Sequence, residues 1–384
     1  MTAVYFDNAA TTVQKPVEVA ERVYQTIQSQ QFGNPARGSH DFSLNSFREV
    51  EKVRNLVKEL VHSPETYEVV FAANATTALN MAIKGTILRG QKIVTTTWEH
   101  NAVLRPVYQV VKERSAEVEF ISSTPISGDL NYEEFERTIK QMKPDVVIVN
   151  HGSNVTGNIL DLTRIKFWKQ QYGFLLIVDA SQTMGQVSID LSDGLIDILC
   201  FTGHKSLYGP TGTGGLCVRK ELMIEPLITG GDGIQSFSMV QPQTYPILLE
   251  AGTMNVAGIS GLGAGLEYIL EKTPARIQLG LQQLRDAFLS GLSNNNNIVL
   301  YQNDDLVHTG VVSFNLVGID SAEVSNYLWE HHQIATRPGY HCAPKMHEVL
   351  GTKKTGTVRC SFSNFNTYEE IEHVTQIINE LSRK

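Results

Sequence analysis

The chain has 384 residues, 42% of them hydrophobic and 19% charged, with a net charge of −8. That length exceeds what one small core organises, so a large domain and a smaller one are expected. The acidic balance, without a basic block, argues against nucleic-acid binding, and no apolar run approaches the roughly 18 residues of a membrane span.

The opening Met1-Thr-Ala-Val-Tyr-Phe-Asp has no basic stretch followed by an apolar one, so no signal peptide is expected. The four cysteines, Cys200, Cys217, Cys342 and Cys360, form no CxxC pair. This predicts no metal site, no disulfide framework and a reducing, cytoplasmic setting.

In chain order, Val69-Val-Phe-Ala predicts a strand and Thr77–Leu88 a helix, with Leu79, Ile83 and Leu88 apolar. Lys92–Thr96 predicts a strand, Ala102–Glu113 a helix, Asp145–Val149 a strand and Leu162–Tyr172 a helix. Strands follow at Leu175–Asp179 and Ile196–Phe201, the second holding Cys200; Cys217 lies in another strand-like run, and both thiols are expected in the core. This alternation predicts an α/β fold with a mostly parallel sheet covered by helices on both faces. After Gly252 the texture changes. A Gly-rich helix at Gly258–Leu270 and a polar one at Ala275–Leu292 precede a turn at Asn294–Asn297 and strands at Ile298–Tyr301 and Val311–Leu316. Helices near Ala322–His332 and at Tyr368–Leu381 complete a smaller α+β domain. The expected division is 14–252 for the large domain, with 1–13 and 253–384 forming the small one.

Open α/β sheets bind ligands at the carboxyl ends of their strands, so polar residues just after apolar runs are the candidates. Lys205, in Phe201-Thr-Gly-His-Lys-Ser, follows a strand and precedes a glycine run; a lysine there forms a Schiff base with an aldehyde cofactor, or is a surface lysine. Thr202 and His204 are within reach of a phosphate. Asp179 ends four apolar residues and suits a protonated pyridine nitrogen, or a helix cap. Gln182 suits the ring's phenolic oxygen. Ala75 and Thr76 open a helix, where free N–H groups bind phosphate. His100 is placed to stack on a planar ring and shuttle protons, and Asn154 to bond the ring oxygen or make a turn. Each residue has an ordinary reading alone; five at successive strand ends point together. From the second domain, Cys342 sits in a turn, Arg337-Pro-Gly-Tyr-His-Cys-Ala-Pro, with His341 beside it to raise the thiolate fraction. Arg359 suits a bidentate clamp on a substrate carboxylate. Cys360 alternates with it along a strand and is taken as core.

Together these segments resemble the class V aminotransferase fold and, within it, the cysteine desulfurases. The motifs are Phe6-Asp-Asn-Ala-Ala-Thr-Thr, Asn34-Pro-Ala-Arg-Gly-Ser-His, Glu99-His-Asn-Ala, Val178-Asp-Ala-Ser-Gln and Gly203-His-Lys, in family order. Arg-x-Gly-x-His-Cys-Ala around Cys342 resembles the SufS-like and selenocysteine-lyase-like group, and only 16 residues separate Cys342 from Arg359, which implies a short, ordered loop. The chain departs from that pattern at Asn74, where the family has Gly, at Tyr340, and over Lys345–Thr355, which holds His347 and three lysines.

The resemblance implies pyridoxal 5'-phosphate in a type I transferase fold, with Lys205, Cys342 and His100 catalytic and Asn8, Arg337 and Arg359 at the substrate. It implies L-cysteine, or L-selenocysteine, as substrate, a persulfide on Cys342 and a sulfur-acceptor protein. Glu250-Ala-Gly-Thr implies a homodimer with Thr253 reaching the other subunit's phosphate. Rival readings are a selenocysteine lyase, an aminotransferase or β-lyase in which Cys342 is incidental, and a non-enzymatic relative. Iron–sulfur cluster assembly, tRNA thiolation and selenium handling are all compatible destinations.

Overall fold

The computed structural model describes residues 3–35, 38–231, 233–302 and 307–383. Ala36 and Arg37 of the Asn34–His40 motif, Met1 and Thr2 of the N-terminal segment, and Lys384 lie outside the described residues. The elements run β1 (Val4–Tyr5), α1 (Val17–Gln28), α2 (Asp41–Leu60), β2 (Tyr67–Ala72), α3 (Ala75–Thr86), β3 (Lys92–Thr96), α4 (Asn101–Arg114) and β4 (Glu117–Ile121). Next are α5 (Tyr132–Met142), β5 (Val146–Asn150), α6 (Leu162–Tyr172), β6 (Leu175–Asp179), β7 (Ile198–Thr202), β8 (Gly214–Arg219), α7 (Val256–Lys272) and α8 (Pro274–Leu292). The chain ends with β9 (Ile298–Tyr301), β10 (Val311–Leu316), α9 (Ser321–His332), β11 (Ile334–Ala335), β12 (Arg337–Gly339), α10 (Pro344–Val349), β13 (Thr357–Ser361) and α11 (Tyr368–Leu381).

A seven-stranded sheet, ordered β2-β8-β7-β6-β5-β3-β4, forms the larger layer. Its neighbours are parallel except around β8, which is antiparallel to both β2 and β7. β5 and β7 are buried along their whole length, which is why they read as unbroken apolar runs. β4 lies at the edge and exposes Glu117 and Glu119, charges that blunt an open edge. All the parallel strands end on one side, and the loops after β2, β3, β5, β6 and β7 converge there.

The second sheet, β12-β13-β10-β9, is antiparallel. β1 joins this end of the molecule by pairing with β11, Phe6 stacks edge-on against Phe362, and the Ser361 N–H donates to the Phe6 carbonyl at 2.7 Å. α7 follows Gly252 but packs on the large sheet's own helices. A Cβ on Gly261 would sit 2.4 Å from Val23 of α1, and one on Gly265 2.2 Å from the Leu207 carbonyl oxygen. The glycines that gave this helix its texture therefore let it press against the loop that carries Lys205. Cys200, Cys217 and Cys360 are buried free thiols, and Cys342 is exposed. Among the described residues no helix is long and apolar enough to cross a membrane.

Candidate active site

A cleft opens at the carboxyl ends of the strands, where the large sheet meets β12 and β13. Its floor is the loop after β7. The last residues of β6 and β7, Asp179 and Thr202, and the following His204 and Lys205 line it. Lys205 is partly buried. Burial, helped by Arg359 and Arg337 and opposed by Asp179 and Cys342, lowers its ammonium pKa to about 8. The amine is therefore a usable base and nucleophile near neutral pH. His204 is clamped by the N-terminal segment: its carbonyl accepts from the Thr12 N–H at 3.1 Å, and its Nδ1 lies 3.1 Å from Thr11 Oγ1. Burial, with Lys205 and Lys15 nearby, pushes its imidazole down to about 4, so it is neutral.

Asp179 is buried, and Ser181 satisfies its Oδ1 through both backbone N–H and hydroxyl. Burial raises its pKa, against those hydrogen bonds and the Lys205 charge. A cationic partner on the cleft side favours the carboxylate. Gln182 lines the same wall and donates Nε2 to the Ala9 carbonyl at 3.1 Å. Ala75 and Thr76 begin α3, whose first N–H groups have no acceptor inside the helix, and both residues line the cleft. Asn74 caps that helix by accepting from the Thr77 N–H at 2.9 Å. Its φ of −174° is ordinary extended backbone, so glycine is not needed there.

His100 caps α4, accepting from the Ala102 N–H on Nδ1 at 3.0 Å. That contact leaves the proton on Nε2. Burial, then Lys205, Arg359 and Arg337, push its pKa down to about 4, so it enters chemistry as a neutral imidazole. Next to it, Glu99 is fully buried. Its Oε1 accepts from Thr96 Oγ1 at 2.7 Å and from the Asn150 N–H at 3.0 Å, while Oε2 has no partner.

Arg337 and Arg359 face each other across β12 and β13, and both line the cleft. Arg359 is buried; Nη2 donates to Asp7 Oδ1 at 2.8 Å and Nη1 to the Asn154 carbonyl at 3.0 Å. Asn154 lies in the turn closed by the Gly157 N–H donating to the Ser153 carbonyl at 3.0 Å, and its Nδ2 also donates to the His341 carbonyl at 2.7 Å. Cys342 sits in the bend after β12. His341 and Cys342 both have left-handed backbones, with φ of 48° and 56°. Such geometry costs residues with a Cβ about 1–2 kcal/mol each and needs imposed contacts.

Two expectations, those for His341 and Asn8, are changed by this geometry. His341 is buried, and burial with Arg359 and His347 beside it drives its pKa far down, so it carries no charge to pass to the thiol. Asn8 lies behind the cleft, its Nδ2 donating to the Ser361 carbonyl at 2.9 Å; the following Ala9 and Ala10 form the wall instead. Thr253 lines a separate hollow beside Thr77 and Gly212, next to Glu250, whose Oε1 accepts from the Phe71 N–H at 2.7 Å. Asn150 and Ser181 were not anticipated in the cleft. The Asp-x-Ser step and the polar end of β5 are the signals that would have found them.

The comparisons with known proteins agree with this architecture. Residues 4–374 match the family model for class-V aminotransferases. The chain belongs to the class-V aminotransferase family. A protein of Pyrococcus abyssi described as a probable cysteine desulfurase is 33% identical over 391 residues, covering 98% of this chain and 94% of the relative. One of Staphylococcus aureus, described in the same words, is 30% identical over 387 residues, covering 99% and 91%. Among solved structures, an apo cysteine desulfurase from Thermococcus onnurineus superposes with a TM-score of 0.91 at 32% identity, covering 99% of this chain and 95% of that one. The cysteine desulfurase CsdA from Escherichia coli gives 0.85 at 27% identity, covering 98% and 94%. The chain is thus an enzyme of the class-V family, similar to cysteine desulfurases.

Class-V enzymes generally use pyridoxal phosphate. The cleft fits that group by its unspent polar atoms. Thr202 Oγ1 and Asn154 Oδ1 are buried without partners, and the first N–H groups of α3 meet them with a ready anion site. Asp179 stands deep in the same cleft, where a protonated ring nitrogen would pair with it.

Proposed function

We propose that this chain is a cysteine desulfurase, converting L-cysteine to L-alanine and leaving the sulfur as a persulfide on Cys342. The observation that carries the reading is the pairing of two reactive groups. A lysine with a depressed pKa lies on the large sheet's side of the cleft, and the one exposed thiol among the described cysteines is presented by the facing loop. That loop is tied to the cleft: the Asn101 N–H, first in α4 and next to His100, donates to the Cys342 carbonyl at 2.7 Å.

Pyridoxal 5'-phosphate, when bound, supplies an aldehyde for amines and a ring that takes up electrons. Ala75, Thr76, Thr202 and His204 would hold its phosphate, Asp179 its ring nitrogen, and Gln182 and Asn154 its ring oxygen, with His100 beside the ring. Lys205 removes the substrate α-proton, and Arg359, with Arg337, fixes the substrate carboxylate. Asn8 supports this wall from behind. The Cys342 thiolate attacks the substrate sulfur. An S–S bond forms, the electron pair of the broken C–S bond passes to Cβ, which takes up the proton lost by the Cys342 thiol by way of His100, and Lys205 returns the α-proton to complete alanine. The persulfide then passes to a thiol of an acceptor protein, in iron–sulfur cluster assembly or a related sulfur-transfer route.

In this reading residues 14–252 bind the cofactor, while 1–13 and 253–384 bring the thiol and the substrate arginines. Thr253, outside its own cleft, serves the phosphate of a second copy in a homodimer. Free cysteines and a transferable persulfide suit a reducing cytoplasm. The test is alanine and sulfide release from L-cysteine with a reductant, wild type beside Cys342→Ala. The variant is expected to keep the cofactor and its absorbance response to cysteine while release falls to background. Equal release from both proteins would remove Cys342 from the reaction, and release from selenocysteine alone would reassign the substrate.

A further inference from the structure

The bend carrying Cys342 holds two consecutive residues, His341 and Cys342, at φ of 48° and 56°. Neither is glycine, so contacts from outside the loop must impose this shape. Two direct ties reach its carbonyls. The Asn101 N–H holds the Cys342 oxygen, and Asn154 Nδ2 holds the His341 oxygen, both at 2.7 Å. A third contact, His341 Nε2 to Thr357 Oγ1 at 3.1 Å, fixes the ring at the loop's start.

The Asn154 tie differs from the others in what else the residue touches. Asn154 lines the cleft. Its backbone oxygen accepts from Arg359 Nη1 at 3.0 Å, and its Oδ1 is buried with no partner. One residue therefore meets the cleft, the buried arginine and the thiol loop. The amide has two N–H bonds in one rigid plane. One is spent on the His341 carbonyl; a cleft ligand that takes the other, or the free oxygen, fixes the plane and with it the first bond.

We propose that Asn154 is a positioning residue for the Cys342 thiol, coupling occupancy of the cleft to the placement of the loop. The inference deepens the desulfurase reading and takes its purpose from it: the thiol must stand at one place relative to the substrate sulfur. Losing the donor leaves the His341 carbonyl buried and unpaired, and the left-handed pair relaxes.

Hydrogen exchange on the cofactor-loaded protein tests this, with wild type beside Asn154→Asp and Asn154→Ala. In wild type the Asn101 and Ala343 amides exchange as slowly as the rest of the first turn of α4. In both variants the loop amides exchange about 10-fold faster or more, as loss of one buried hydrogen bond implies, while β6 is unchanged. Alanine formation falls further than the rate of the cofactor's spectral response to cysteine. A second arm needs no variant: removing the cofactor from wild type speeds exchange at the same loop amides. An unprotected loop in wild type, equal exchange in loaded and cofactor-free protein, or unchanged exchange in folded variants would each overturn the proposal. The exchange readouts do not depend on turnover, so failure of the desulfurase reading, seen as Cys342-independent release, is distinguishable from failure of this one.

Discussion

Replacing Lys205 with methionine should make the cofactor-free protein more stable, because the lysine's cost is set by its surroundings. Burial, reinforced by Arg359 and Arg337 and only partly offset by Asp179, lowers its pKa from 10.5 to about 8. At 1.36 kcal/mol per pH unit that gap corresponds to about 3.4 kcal/mol. The unfolded chain keeps this proton up to pH 10.5, and the folded protein only up to about 8. Below pH 8 both states are charged and the fold carries the full penalty; as pH rises from 8 to 10.5 the penalty fades and stability climbs. Methionine fills a similar volume without charge. Allowing for Asp179 losing its partner, Lys205→Met should be more stable than wild type by about 2–3 kcal/mol at pH 7, with the advantage shrinking toward zero near pH 10.5. Urea unfolding of both cofactor-free proteins across this range measures it. A variant no more stable at pH 7, or an advantage flat with pH, would refute the reasoning.

Two further outcomes follow from buried charge. Glu99 is pushed up to about 8 by burial, against hydrogen bonds from Thr96 and Asn150, so its folding penalty grows as pH rises from 4.5 to 8. Glu99→Gln should gain stability over that window, by about 2–4 kcal/mol at pH 8 after allowing for its orphaned amide donor; thermal unfolding at pH 5 and 8 checks it, and a gain that falls with pH would contradict it. Arg359→Lys cannot reach both Asp7 and the Asn154 carbonyl while presenting a fork to a carboxylate. The KM for L-cysteine should rise by about 10–100-fold with kcat less affected; steady-state alanine formation decides, and an unchanged KM would place the substrate carboxylate elsewhere.

What could be read from the chain in advance follows burial. β5 and β6 announced themselves because parallel strands covered on both faces are apolar throughout, and each ends in the polar residue, Asn150 or Asp179, that meets the cleft. The exposed α1 and α2 and the edge strand β4 were not assigned, since their apolar faces are diluted by charge. The antiparallel β8 gave no sign of its direction, because direction depends on partners distant in the chain. In the site, residues just past strand ends were legible by position. Less so was the Cys342 bend, where two non-glycine residues take left-handed backbones beside contacts from Asn154, Asn101 and Thr357, all distant in the chain. His341 misled for a related reason. Adjacency to the thiol suggested a charge, but its burial removes that charge.

The electrostatics of the cleft connect these pieces. In a chain of net charge −8, Lys205, Arg337 and Arg359 gather in one cleft whose lining carries Asp179 as its carboxylate. Such a focused positive field draws in phosphate and carboxylate groups. Burial first, and this field second, bring Lys205 down to about 8 and His100 to about 4, so that both can accept or relay protons near neutral pH. In the proposed reading, a substrate carboxylate on Arg359 would cancel part of that field. The Lys205 amine would then become more basic as an α-proton stands before it, so the group that binds the substrate would also adjust the base that acts on it.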